Sequence, residues 1–240
     1  MCDMSMPLSP LSAPLLTFQP GGCCAAHAMT GTPHARTPPP ENIDPAEALQ
    51  GGQAPRNVVR RYALIDELLE ARRTVFGGTE GEPVYQAYRN HAYRILNWSR
   101  QWTAPSPERD DKIAICAVFH DLAAWPNDNL DYLRPSADQA DAYLDQVGRG
   151  DWKPEMRLMI ESHHKITPYR GAHCEWVEPI RRADWCDVSF TLIRHGLPSG
   201  FVRDVTAAFP IRAFYPNHVL KVSGKWLLKH PLNPLPIMRW

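Results

Sequence analysis

Residues 112–125 read KIAICAVFHDLAAW, an apolar run broken by the adjacent pair His120-Asp121. Ile113, Cys116, Ala117 and His120 fall on one helical face, while Ile115, Val118, Phe119 and Leu122 fill the rest. That pattern predicts a central helix, apolar nearly all round. Asp110 and Asp111 precede it, suited to capping its start and complementing its dipole. Two ionisable groups inside such a helix need partners, because burying an unpaired charge is costly.

Working outward, three other segments place a His or Asp on a core-facing stripe. In VYQAYRNHAYRILNW, Val84, Tyr88, His91 and Ile95 step by four, three and four, with Pro83 where a first helical turn accepts it. In PEMRLMIESHHK, Met156, Met159, Ile160 and His163 take the i, i+3, i+4, i+7 spacing. His164 then lies about 100° round the same helix, so the two histidines should not face one point equally. In EPIRRADWCDVSFTLIRHG, a helix predicted from about Pro179, Ile180, Ala183, Asp184 and Val188 share a side, and Arg181, Arg182 and Arg194 are expected nearer the rim.

The remaining elements read more simply. RNVVRRYALIDELLEARRTVF predicts a helix with Leu64, Leu68 and Val75 inside, ended by Gly77-Gly78. Ser136 to Gln139 has capping-box spacing and should launch a helix that Gly148 stops. PNDNLDYLRPSAD and TPYRGAHCEW read as loops. No strand pattern of useful length appears, so the expected fold class is all-α.

Composition sets the frame. The 240 residues are 44% hydrophobic and 22% charged, enough for one good core. Residues 1–56 are crowded with Pro, Gly, Ala, Ser and Thr and are expected to form a disordered leader. Cys23, Cys24 and His27 within it read as incidental. Residues 57–210 form the expected domain and 211–240 a C-terminal extension, with KWLLKHPLNPLPIMRW as a short helix and tail. Lys+Arg 26 balance Asp+Glu 26, which argues against stable nucleic-acid binding and makes any phosphate recognition local. Trp98, Trp102, Trp125, Trp176 and Trp185 lack an interleaved basic pattern and read as core or pocket wall rather than a base-stacking platform. The six cysteines form no disulfide or zinc framework and read as reduced thiols. No apolar stretch approaches the roughly 20 residues of a membrane helix, and no convincing secretory signal is present. A cytoplasmic protein of open oligomeric state is expected.

Imidazole nitrogens and carboxylate oxygens together suit a divalent transition metal: Mn, Fe, Co, Ni or Zn. His91, His120-Asp121 and Asp184, on successive helices in the order H…HD…D, resemble the signature of the HD-domain metal-dependent phosphohydrolase superfamily. The resemblance spans roughly residues 57 to 205 and extends to SADQADAYLDQVG, I-x-x-H at Ile160 to His163, and ADWCD around Asp184. It implies an HD-domain helical bundle in which His91, His120, Asp121 and Asp184 hold one metal ion. His163 matches the additional histidine that many members place near the metal, with His164 as its register alternative. Asp121, His163 and His164 are therefore the candidate catalytic residues. No histidine lies between Asp121 and His163, where dinuclear members often supply one, which favours a single ion or a weakly held second one.

The activity implied is hydrolysis of a phosphomonoester or phosphodiester in a nucleotide or other small phosphorylated metabolite. Water activated by the metal attacks phosphorus, and His163 gives a proton to the leaving oxygen. Lys165, Arg170, Arg181 and Arg182 flank the ligand helices as candidates for the remaining phosphate oxygens. Two other readings stay open: an HD-type di-iron oxygenase, which needs further ligands, and a non-catalytic HD module binding a nucleotide or metal, against which the intact ligand set argues. His173 with Cys174, His195, His218 and His230 carry no assigned role.

Overall fold

Seven α-helices and three short 3-10 turns make up the described residues, with no β-strand among them, in agreement with the all-α expectation. The computed structural model describes residues 57–77, 81–125 and 131–211. All of these fall in one unit, Asp44–Trp240. The expected leader, its Cys23, Cys24 and His27, and nearly all of the C-terminal extension lie outside the described residues. No helix among those described is long and apolar enough to cross a membrane.

Helix α1, Ala63–Glu70, is followed by a 3-10 turn, Arg73–Phe76, capped by Gly77 at φ 89°. The continuous helix expected from Asn57 is thus shorter at its start. Val59 N–H donates to Asn97 Oδ1 at 2.7 Å and Tyr62 N–H to the Tyr93 hydroxyl at 2.9 Å, so this stretch bonds to another helix instead of to itself. Ile65, Leu68, Leu69 and Phe76 supply the buried face, whereas Leu64 and Val75 are only half-buried.

Two helices form the centre. Helix α2, Glu82–Ser99, is buried at every position from His91 to Ser99, and α3, Arg109–Phe119, at nearly every position. Asp110 and Asp111 lie in the first turn of α3 and make no side-chain cap. Asp110 instead pairs with Arg100 and Arg109, and Asp111 accepts from the Tyr62 hydroxyl at 2.5 Å. His120 closes α3, and Asp121 opens a 3-10 turn, Leu122–Ala124.

Helix α4, Leu133–Gln146, begins three residues before Ser136. Pro135 is its third residue, where the missing N–H costs no intrahelical bond. Ser136 is therefore no cap. Its buried hydroxyl accepts from Ala123 N–H at 3.1 Å, fastening α4 to the turn behind Asp121. Gly148, at φ +69°, ends the segment as expected, with Arg149 N–H reaching back to Leu144 O at 2.8 Å.

The 3-10 turn Gly150–Trp152 leads into α5, Lys153–Ser162, whose Met156, Met159 and Ile160 are fully buried. Helix α6 runs Cys174–Val188 and contains Pro179, so it begins five residues before the expected start. The proline removes one helical donor, but the earlier turn holds itself in place by burying Val177 and Glu178. Helix α7, Ser199–Ala208, was not anticipated; it buries Phe201, Val202 and Val205. Helices α2 and α3, α2 and α6, α4 and α5, and α5 and α6 pack in pairs, so α2, α6 and the ends of α3 and α5 meet. A buried ion pair, Lys112 Nζ to Glu155 Oε1 at 2.7 Å, ties α3 to α5.

Candidate metal centre

Four elements converge on one point. His91 comes from α2, His120 and Asp121 from the end of α3, and Asp184 from α6, and all four are buried with donor atoms within 4.8 Å of one another. Asp121 also forms a second group with His163 and His164, from the end of α5. The structure thus brings together every residue that the sequence singled out for metal or catalysis.

The protons on the histidines can be placed from their partners. His91 Nδ1 lies 2.5 Å from Asp187 Oδ2, an acceptor, so Nδ1 carries the proton. His120 Nδ1 faces the carbonyls of Ala117 at 3.1 Å and Cys116 at 3.2 Å, so it too is the protonated nitrogen. Burial lowers the His120 imidazole to about 4, which keeps it neutral. The Nε2 atoms of His91 and His120 nevertheless stand 2.9 Å apart. At that distance the two nitrogens share a proton or a cation.

The carboxylates point the same way. Asp121 Oδ1, both Asp184 oxygens and His163 Nε2 are buried without a hydrogen-bond partner. Asp121 Oδ2 is 3.7 Å from His91 Nε2 and 3.5 Å from His120 Nε2, and Asp184 Oδ1 is 4.0 Å from His91 Nε2. Among the described residues, the ion pairs of both carboxylates are with histidines alone. Burial would raise both carboxyls, but His120, His163 and His164 hold Asp121 well below the ordinary range, and His164 and His163 lower Asp184. Two buried carboxylates converging with imidazole nitrogens form a donor set that a divalent cation satisfies. The donor set fits such an ion.

His163 and His164, expected not to face one point equally, both reach the cluster from the end of α5, where His163 keeps helical backbone angles as its C-cap. Their environments differ. His163 is fully buried; its Nδ1 donates to Ile160 O at 2.6 Å, and its Nε2 lies 3.2 Å from Asp121 Oδ1. Burial lowers the His163 imidazole, but the Asp121 carboxylate outweighs that and raises it overall. His164 accepts from the Tyr132 hydroxyl at 2.7 Å on Nε2 and places Nδ1 3.2 Å from Asp184 Oδ2. The side chains of Asp121 and His164 are 10% and 11% exposed, against at most 1% for His91, His120, His163 and Asp184, so solvent reaches the cluster along their edge.

Two of the four candidate phosphate cations are committed elsewhere. Arg181 is buried rather than at the rim, bonded through Nε and Nη2 to Glu178 at 2.7 and 2.6 Å, and Arg182 Nε reaches Glu178 at 2.9 Å. Arg170 is exposed. Three further residues belong to the site: Asp187, Arg94 and Tyr132. Asp187 lies three residues after Asp184 and Arg94 three after His91, the helical spacing that signals a shared face. Val188, expected on that face, is only half-buried; Asp187 takes the place.

Compared with models of known protein families, with curated proteins and with solved structures, the chain matches none.

Proposed function

We propose that the chain is a metal-dependent phosphohydrolase, a phosphomonoesterase or phosphodiesterase acting on a nucleotide or other small phosphorylated metabolite. The observation that carries the metal is the set of His91, His120, Asp121 and Asp184, whose buried ligand atoms lie within 4.8 Å of one another. The choice of a phosphoester rests on the resemblance of the ordered H…HD…D pattern to the HD superfamily.

A bound divalent ion supplies Lewis-acid polarisation and lowers the pKa of a coordinated water. The chain does the rest. Four ligands or fewer leave positions for water and substrate, and the exposed edge at Asp121 and His164 lets a small ester approach. His163 donates Nδ1–H to Ile160 O, so Nε2 is the face that takes and releases a proton, next to Asp121 Oδ1. In this reading it protonates the leaving oxygen, a role suited to an imidazole. His164 is tied to Tyr132 and Asp184, so it orients groups at the mouth. Lys165 and Arg170 flank the ligand helices as candidate cations for the non-reacting oxygens.

The second donor group, Asp121 with His163 and His164, keeps a di-iron oxygenase as a second reading. His164 Nε2 already lies 2.7 Å from the Tyr132 hydroxyl, which weighs against it. A panel of nucleotides and aryl phosphodiesters with added Mn, Ni or Co separates the readings. Turnover abolished by His120→Ala supports hydrolysis; silence across the panel favours a binding module, and iron-dependent oxygen uptake favours the oxygenase.

A further inference from the structure

Arg94 and Asp187 are both buried, and the hydrolytic reading uses neither. The Arg94 guanidinium grips Asp187 with both prongs, Nε to Oδ1 and Nη2 to Oδ2, each at 2.6 Å. Its remaining nitrogen, Nη1, donates to Phe209 O and Pro210 O at 3.1 Å each, which fixes the fork from its other side. Asp187 is thereby immobilised as an ionised acceptor.

An Arg-carboxylate pair is complete without a third member, yet Asp187 Oδ2 also lies 2.5 Å from His91 Nδ1. A neutral imidazole chooses between two tautomers, and the bond made by one nitrogen sets the state of the other. Protonated on Nε2, His91 would donate to His120 Nε2, 2.9 Å away, and turn an Nδ1 lone pair on the Asp187 carboxylate. Protonated on Nδ1, it presents a lone pair there.

We propose that Asp187, braced by Arg94, is a positioning residue that fixes His91 in the Nδ1–H tautomer and so readies His91 Nε2 as a metal donor. The proposal rests on the metal-binding part of the reading above. It also explains why a charged pair is retained at a depth where desolvation makes ion pairs poor sources of stability. Partners of this kind orient ligating histidines, and losing one typically costs about 10–100-fold in metal affinity.

The test is Asp187→Asn. The amide keeps the volume; Arg94 claims its oxygen, and its NH2 group turns to His91 Nδ1, which must then accept. Long-range proton-nitrogen correlation spectra of metal-free wild type at neutral pH are expected to show His91 protonated on Nδ1, and those of the variant on Nε2. Zinc affinity, measured by chelator competition, is expected to fall about 10–100-fold with an unchanged circular dichroism spectrum. A wild-type His91 protonated on Nε2, or a folded variant binding zinc as tightly as wild type, overturns the proposal. If the variant does not fold, the wild-type spectrum alone decides. Equal zinc binding by both proteins leaves the metal reading intact and ends only this inference, whereas a wild type that binds no zinc, manganese or nickel ends both.

Discussion

His91 Nε2 and His120 Nε2 stand 2.9 Å apart, although both rings have already placed their protons on Nδ1. At that distance the two nitrogens need a shared positive centre, a proton or a cation. The neighbouring Asp121 and Asp184 add negative charge to the same point.

Metal should therefore stabilise the fold by mass action. At a free concentration 100 times the dissociation constant, a ligand that binds only the native state adds about 2.7 kcal/mol. Thermal melts with and without Zn or Mn should show a rise for wild type and none for Asp184→Ala. An equal rise in both proteins would locate the metal elsewhere.

The two adjacent histidines should separate in kinetics. His163 Nε2 and His164 Nδ1 each lie 3.2 Å from a carboxylate oxygen, of Asp121 and Asp184 in turn, but His164 also has its Nε2 2.7 Å from the Tyr132 hydroxyl, whereas His163 is fully buried with its Nδ1 on Ile160 O. Against a hydrolysed ester, His163→Ala is expected to lower kcat by about 10²–10⁴-fold, the usual worth of a positioned acid. His164→Ala should cost less, and Tyr132→Phe should resemble it. A reversed order would exchange their roles.

Much of this site was legible in the chain. His91 was visible because Tyr88 and Ile95 are core residues at helical spacing, and His163 because Met156, Met159 and Ile160 are. Asp184 followed from Ile180 and Ala183 on its helix. What periodicity cannot give is the end of a helix. The 100° step left open which of His163 and His164 faces the site, and at the end of α5 both stand 3.2 Å from one of its carboxylates. Capping patterns misled for a related reason. Ser136 has the spacing of a cap, but its hydroxyl is taken by Ala123 N–H, a partner 13 residues away that no local window contains. Asp187 was passed over because a carboxylate in WCDVS reads as surface until Arg94, 93 residues earlier, is known to face it.

Glu178 should make stability depend on acidity. Burial raises its carboxyl, but Arg181, the Tyr169 N–H and Arg182 bring it below 4.5 overall. A group whose folded pKa is depressed contributes stability above its unfolded pKa and loses it as pH falls through the folded value. Denaturant midpoints of wild type should thus fall as pH drops below about 4.5, with a smaller fall for Glu178→Gln from this site. At neutral pH, Glu178→Ala should cost about 3–5 kcal/mol by stranding the buried Arg181. A variant within experimental error of wild type at neutral pH would show that Arg181 is solvated.

The Lys112–Glu155 pair offers a second stability test. Lys112 Nζ lies 4.9 and 4.7 Å from the ring centres of Trp152 and Trp176, so its charge sits in an aromatic cage. Glu155→Ala alone should destabilise by about 3–5 kcal/mol, while Lys112→Met with Glu155→Leu should recover most of the loss. Additive losses in that double variant would mean that α3 and α5 are not joined through this pair.

The most direct measurement is the metal content of purified wild type and Asp121→Ala after exhaustive dialysis. Asp121 belongs to both donor groups, so its loss removes a ligand however many ions bind. Near-stoichiometric transition metal in wild type, and its loss from a variant with unchanged helix content, is the predicted result. A wild type that takes up no metal, or a variant that keeps its full complement, would contradict the account.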